Sequence, residues 1–506
     1  MIKRMLKSVT RCAAASRLIV SAAVVLIASA THVVAELRVT ETRSPNQVVT
    51  VVQMTVTPAA EPVPALRERL VVRDIEMLPG NAATHYLRLY PESVLDTRLS
   101  ALVEKFGDEL YEWYSPGSEP LHTLPLDKLR EAARSFDREI NNFVAPATLR
   151  RDCDWGLGIQ EMQGPQIVQI LLPEFNASRD LSRMLMLRAR VAIAEGDYQR
   201  AIDELRMNNR LAENVASEPL LICTLIGIAE RSMGQMVTLE LMAADNSPNL
   251  YWALAELPEP TEAVKRAMQF EMSIGQRMFP FLKDADTAQH APGEWARLLT
   301  QSVSDWSKVD ANTPRMPPEL MQASLSVMMI AAYPSAKQRL IEGGLAADVV
   351  ERMPVGQVLA VDSSRAYQQI ADSLEKQLYE PYHVARRRSE ADLFGSVDGV
   401  PFVTTSLGQI MAMQLLPGVK AARSAGVSAV RHTRALQVIE AMRMYAAEHG
   451  KLPAYLDDIK AVSIPVNPVT NQPFMYHVES DQAILELPAS DGVSRVTRFE
   501  ITLKKS

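Results

Sequence analysis

From Ala82 to about Glu390 apolar residues recur at spacings of three and four, with Pro and Gly at intervals, which predicts helices joined by short breaks. The clearest pair is DLSRMLMLRARVAIAEG followed by DYQRAIDELRMNNRLAENVA. In the second segment Ala201, Leu205, Asn208, Ala212 and Val215 share one face and the charges lie elsewhere, as in an amphipathic helix. Gly196-Asp197 ends the first helix and opens the second. The stretch from Pro219 to about Met242 is apolar nearly all round through Ala229, so it predicts a helix buried on several sides. Further helices are predicted around 95–110, 126–142, 261–275, 318–330 and 363–379.

Elsewhere the period changes to two. QVVTVVQMTV, residues 47–56, is strand-like, and the Pro/Ala-rich TPAAEPVPAL follows it, so 36–80 reads as an extended linker or an edge strand. Near the C-terminus Ala435, Val438, Ile439, Met442, Tyr445 and Ala446 form one helical stripe, with Gly450 where a cap belongs. After the turn GKLPAYLDDI and the loop IPVNPVTNQPF, three alternating runs follow, at Phe474–Val478, Ala483–Leu487 and Thr497–Leu503. Their hairpin falls at Glu479–Gln482. The stripe is expected to pack on the alternating face of these strands and make a separable head. The predicted fold is mostly α: an irregular helical bundle or short solenoid with a small C-terminal α+β domain, helix plus three-stranded antiparallel sheet. Its parts are a leader (1–35), the extended segment (36–80), a helical domain (81–395), connecting amphipathic helices (396–432) and the head (433–506).

The first 35 residues give an address. A basic region through Arg17 precedes the apolar run Leu18–Ala30, and small residues follow at Ala28-Ser29-Ala30 and Val33-Val34-Ala35. This is the layout of a secretory signal peptide. Counted through Ala35 the apolar stretch reaches 18 residues, so an uncleaved N-terminal membrane anchor is the alternative. Either way the remainder lies outside the cytoplasm, periplasmic or attached to the inner membrane. The next most apolar stretch, Leu407–Val419, carries Gln409, Gln414 and Pro417-Gly418. Formal charge is −7 for the 506 residues; without the leader's five cations it is −12, 48 basic against 60 acidic. That balance argues against nucleic acid as a partner, because such binding needs clustered Lys and Arg against phosphates.

Candidate chemistry is sparse. The three cysteines exclude a disulfide scaffold, and Cys12 belongs to the leader. Cys223 stands among apolar neighbours in PLLICTLIGIA and reads as a small core residue, although export would permit a bridge to Cys153. The chain has no His-x-His, HExxH, Gly-x-Ser-x-Gly or P-loop pattern, so no catalytic, cofactor-binding or metal residue is assigned. In Arg150-Arg151-Asp152-Cys153-Asp154-Trp155 two cations flank a thiol, as a reactive cysteine requires. A structural anchor with Cys153 and Trp155 in the core is the simpler reading. Arg386-Arg387-Arg388, before Glu390 and Asp392, could hold a phosphate or carboxylate, or be a solvated helix face. GSVDG at 395–399 reads as a turn.

Three resemblances add to this. Gly196, Tyr198 and Ala201 resemble the turn of a tetratricopeptide-like helical hairpin, although Asn208 stands where a small residue is expected and no second copy follows at 34 residues. The leader, Asp152-Cys153-Asp154-Trp155, AEGDYQRAI and PNLYWALAELP together resemble a family of uncharacterised exported bacterial helical proteins, which implies no reaction. Tyr445, Gly450, Pro453, Leu456, Ile459, Asn467, Pro468, Pro473, Phe474, Tyr476 and Ser490–Gly492 resemble the globular head of type II secretion pseudopilins. The prepilin leader is missing, Asn467 replaces the usual Asp, and no acidic cluster stands ready for the calcium some such heads bind. The expectation is an exported scaffold or protein-binding protein whose partners are other envelope proteins. The alternative is an envelope hydrolase with catalytic groups converging from distant helices.

The leader layout carries a prediction. Mass analysis of the mature protein should find Glu36 as its first residue; a chain beginning at Met1 in the membrane fraction would replace cleavage with anchoring.

Overall fold

Two apolar runs from opposite ends of the chain meet in one sheet. In the computed structural model, which describes residues 37–44, 47–89, 95–117, 119–168, 173–309, 318–388, 405–489 and 495–504, strand β2 (Val48–Val56) lies parallel to strand β7 (Arg495–Leu503). Val52 stands opposite Phe499 and Met54 opposite Ile501. Strand β1 (Leu37–Arg43) pairs antiparallel with β2 on the outside. On the other side of β7 lie β6 (Gln482–Leu487) and then β5 (Met475–Glu479), giving the order β1-β2-β7-β6-β5. A separate two-stranded ladder joins β3 (Leu78–Asn81) to β4 (Arg150–Asp152).

The C-terminal sheet therefore has five strands and one parallel pair, where three antiparallel strands were expected. The reason lies in β7: one long edge is taken by β6, and the other is open to whichever segment shares its alternation. QVVTVVQMTV does, so 36–80 supplies an edge strand and an interior strand as well as extended chain. Val52, Met54, Val56, Leu485, Leu487, Phe499 and Ile501 all point inward and are buried. On the opposite face Gln53 Nε2 donates to Glu500 Oε2 at 2.9 Å, and Arg498 pairs with Glu486 and Glu500. The hairpin forms where expected, with Glu479 opposite Gln482.

The protein is otherwise mostly helical. The principal helices are α1 (Leu95–Phe106), α2 (Leu126–Arg134), α3 (Pro173–Ala194), α4 (Tyr198–Val215), α5 (Leu221–Ala243) and α6 (Tyr251–Ala255). They continue with α7 (Thr261–Met278), α8 (Pro292–Val309), α9 (Pro318–Glu342), α10 (Val355–Leu378), α11 (Leu407–Leu415) and α12 (Pro417–His449). The helix expected over 126–142 breaks at its middle into α2, a short turn and a π-helix at Ile140–Val144. Helix α9 runs through Pro334 to Glu342, and α10 begins directly after Pro354, so both outlast the expected spans. Pro417 breaks nothing: it occupies the first turn of α12, where its missing N–H costs no hydrogen bond. Gly450 caps α12 at φ +67°, its N–H donating to Ala446 O at 2.9 Å, a conformation that favours a residue without Cβ. Residues 1–36, Glu390, Asp392, the GSVDG segment and Ser490–Gly492 lie outside the described residues.

Helix α5, apolar nearly all round, is the hub: α3, α4, α7 and α12 pack on it, and its end reaches β1 and β2. The α12 stripe (Ala435, Val438, Ile439, Met442, Ala446) is fully buried as expected, but it lies closest to α5 and α6 and shares one core with the sheet face. A second cluster lies between α5, α7, α10, α11 and the first turns of α12, and a third between α8, α9 and α10. Among the described residues no helix is long and apolar enough to cross a membrane.

Phe499, 1% exposed between Leu485 and Val52, tests the sheet. Phe499→Ala should cost about 3 kcal/mol or more in urea unfolding, and Arg498→Ala, on the outer face, should stay within about 0.5 kcal/mol. Equal and small effects would contradict this packing.

Candidate functional site

The Arg150–Trp155 cluster serves the fold. Arg150–Asp152 form β4, and the carbonyls of Arg150 and Arg151 accept from Arg210 Nη2 at 2.7 and 3.0 Å. Asn81 clamps Asp154 from both sides, Nδ2 donating to its carbonyl at 2.7 Å and Oδ1 accepting from its N–H at 2.9 Å. Trp155 is buried, donates from Nε1 to Asn214 O at 2.9 Å and stacks on Tyr86. Burial pushes the Cys153 thiol up to about 12, the reverse of what a nucleophile needs. Cys223 is also raised by burial, and both thiols are free. At the other basic cluster Arg387 and Arg388 are exposed and Arg388 pairs with Glu380.

The hairpin of α3 and α4 hides a polar seam. Asp197 caps α4 by accepting from Arg200 N at 3.2 Å, and Ala201 is fully buried. Asn208, where a small residue was expected, accepts from Ser182 Oγ at 2.5 Å and donates to Glu230 O at 2.9 Å. The space comes from the opposing helix: a Cβ on Gly234 would stand 2.9 Å from Asn208 Nδ2. Beside this seam Glu230 is fully buried, and burial pushes its carboxyl up to about 8. Ser178 Oγ lies 2.7 Å from Glu230 Oε1 and 2.8 Å from Phe175 O. One hydroxyl proton cannot serve both acceptors. A protonated Glu230 resolves this by donating to Oγ while the hydroxyl donates to Phe175 O.

A cavity of about 100 Å³ opens between α5, α12 and the 254–260 segment. Its polar lining is Arg231 from α5, Thr433, Arg434 and Gln437 from α12, and Glu259. Arg434 is engaged, donating from Nη2 to Glu259 Oε1 at 2.7 Å and from Nη1 to Val466 O at 3.2 Å. Thr433 Oγ1 accepts from Gln235 Nε2 and donates to Ala429 O. Arg231 donates to Pro258 O, and Glu213 Oε1 stands 3.7 Å away. The side chain of Gln437, a residue 9% exposed, makes no hydrogen bond among the described residues. None of these residues stood out in the sequence as chemistry. Their signal was local: a cation just past an apolar run in α5, and an amide within the buried α12 stripe, between Ala435 and Val438.

Among the described residues no group of three or more His, Cys, Asp or Glu could hold a metal ion. No protein family, curated protein or solved structure matches the chain.

The buried carboxyl sets a pH dependence. The native state holds the Glu230 proton up to about pH 8, whereas an unfolded glutamate releases it near 4.5. Between those values the native state binds more protons, so this contribution is complete below pH 4.5 and is lost as pH rises towards 8. Glu230→Gln should flatten that fall in chemical denaturation series across the window; an unchanged slope would mean that Glu230 is not the group responsible.

Proposed function

We propose that the protein is an exported envelope protein that binds other envelope proteins without chemically altering them, through its helical domain and its C-terminal sheet region. Export rests on the leader at 1–35. The observation that carries a binding role is the condition of the groups that catalysis would need. Both thiols are pushed up by burial, and the Glu230 proton is held inside the core. His432 is pushed down to about 4 by burial, with Nδ1 against Ser428 O at 2.8 Å.

The cavity, by contrast, offers fixed donors. Its one hydroxyl, on Thr433, is hydrogen-bonded to Ala429 O and Gln235, and its one carboxylate, on Glu259, is paired with Arg434. Such a lining recognises a group and has no nucleophile–base pair with which to attack it. This favours the binder over the envelope hydrolase.

Chemical crosslinking in intact cells, followed by mass spectrometry, tests the reading. The chain should sit in the periplasmic or inner-membrane fraction, and the double variant Cys153→Ala, Cys223→Ala should keep the same crosslinked partners. Each substitution should cost only about 1 kcal/mol or somewhat more. Loss of the partners with an unchanged melting curve, or retention of the chain in the cytoplasm, would overturn it.

A further inference from the structure

We propose that the cavity between α5, α12 and the 254–260 segment binds a single carboxylate group. The first argument is an imbalance of donors. Arg231 is 6% exposed, yet it makes one hydrogen bond to the protein, to Pro258 O. Its nearest carboxylate, Glu213, is 3.7 Å away and is shared with Arg210 at 3.2 Å. A guanidinium taken out of water needs acceptors around its whole fork, and burial accordingly lowers the Arg231 pKa. Gln437, more than nine-tenths buried and with no side-chain partner among the described residues, lines the same space. Two donor groups thus face a cavity whose walls leave them unanswered.

The second argument is charge. Arg434 and Glu259 neutralise one another at 2.7 Å. Arg210 and Arg231 share Glu213, so one positive charge is left over. A monoanion balances that charge. A dianionic phosphate would face the Glu259 carboxylate, which Arg434 holds at the site. A guanidinium also matches the two oxygens of a carboxylate in one plane, and the amide N–H of Gln437 can donate to either.

The third argument is size. A single water needs about 10–15 Å³ of such space, so a cavity of about 100 Å³ takes several heavy atoms and no more than a short acid or the end of a chain. Leu254, Leu257 and Val430 give it an apolar side against which a small alkyl group fits. The carboxylate has two sources, a free short-chain acid or the C-terminus of a partner polypeptide. The proposal rests on the reading of the protein as a binder.

Thermal shift and calorimetric titration of the full mature chain test it, with four probes at matched ionic strength: sodium acetate, N-acetyl-alanyl-alanine, the same dipeptide as its C-terminal amide, and phosphate. Acetate and the free-acid dipeptide should both raise the melting temperature, and the amide and phosphate should not. Tighter binding of the dipeptide supports a polypeptide C-terminus; equal or tighter binding of acetate supports a free acid. Gln437→Leu, which fills the same space without donors, should weaken binding by about tenfold or more and leave the ligand-free melting temperature unchanged or higher. Arg231→Lys, which keeps the charge and removes the fork, should weaken it similarly. Phosphate binding as tightly as acetate, no response to any carboxylate, or undiminished binding by Gln437→Leu would overturn the proposal. If carboxylate binding fails while crosslinked partners persist, this site is wrong and the binding role stands. If a bound acid is chemically altered in the mixture, it is the binding role that fails.

Discussion

Arg443 is the point on which the two ends of the chain are fastened. Its side chain is wholly buried, and its guanidinium spends every N–H on acceptors from three segments. Nε donates to Thr57 O at 3.0 Å, where the chain leaves β2; Nη2 donates to Ser247 O and Oγ, both at 2.9 Å; and Nη1 donates to Glu440. Around it Ala59 N donates to Arg443 O, and Asn249 Nδ2 donates to Glu440 O and Ala59 O. Burial raises the Glu440 carboxyl while Arg443 opposes that rise, so the pair survives only as a pair. Removing one partner of a buried ion pair costs about 3–5 kcal/mol, because the other charge is left without compensation. Arg443 thus ties the chain just beyond β2, the partner of β7, to α12 and to the segment around Ser247.

The same device recurs at the hub. Arg190 on α3 holds Glu240 on α5 with two bonds, 2.8 and 3.0 Å, and donates to the carbonyls of Trp113 and Ser115. Arg188 ties α3 to Glu204 of α4 and to Asp137. Helices with apolar faces on several sides could slide or rotate against one another with little loss of burial, since area alone is non-directional. Buried guanidinium forks admit one geometry, and here they set the register of α3, α4 and α5.

What could be read from the chain follows the range of the physics involved. The α3–α4 hairpin, the stripe and cap of α12 and the alternation of β5, β6 and β7 are local patterns, and they appear at the positions their spacing predicts. The partnership of β2 with β7 was illegible because pairing across most of the chain leaves no local mark; QVVTVVQMTV shows a strand but not its neighbour. Asn208 looked like a departure from a repeat, and only Gly234 on the facing helix explains it. Arg231 and Gln437 were invisible as a pair, because the cavity that unites them belongs to the packing of α5 on α12. The cysteine in the basic cluster misled in the opposite direction. Proximity of Arg150 and Arg151 in sequence did not become a field at its sulfur: half-buried Arg150 donates to Pro79 O, Arg151 is exposed, and burial governs the thiol.

Helix α12 joins these observations. Arg434, Gln437, Glu440 and Arg443 follow one another at intervals of three, a row inclined to the helix axis that winds through an otherwise apolar surface. At its C-terminal end the row is saturated: Glu440 and Arg443 answer each other and lock the sheet to the helical domain. At its N-terminal end Arg434 is held by Glu259 and Val466 O, and between the two ends the Gln437 side chain meets a cavity. A polar residue inside a packed interface costs stability unless it is satisfied. Along the same row, six residues, under two helical turns, separate the unanswered amide of Gln437 from the fully answered guanidinium of Arg443. That contrast sets Gln437, beside the cavity, apart from Arg434, Glu440 and Arg443, whose side chains are all answered from within the protein.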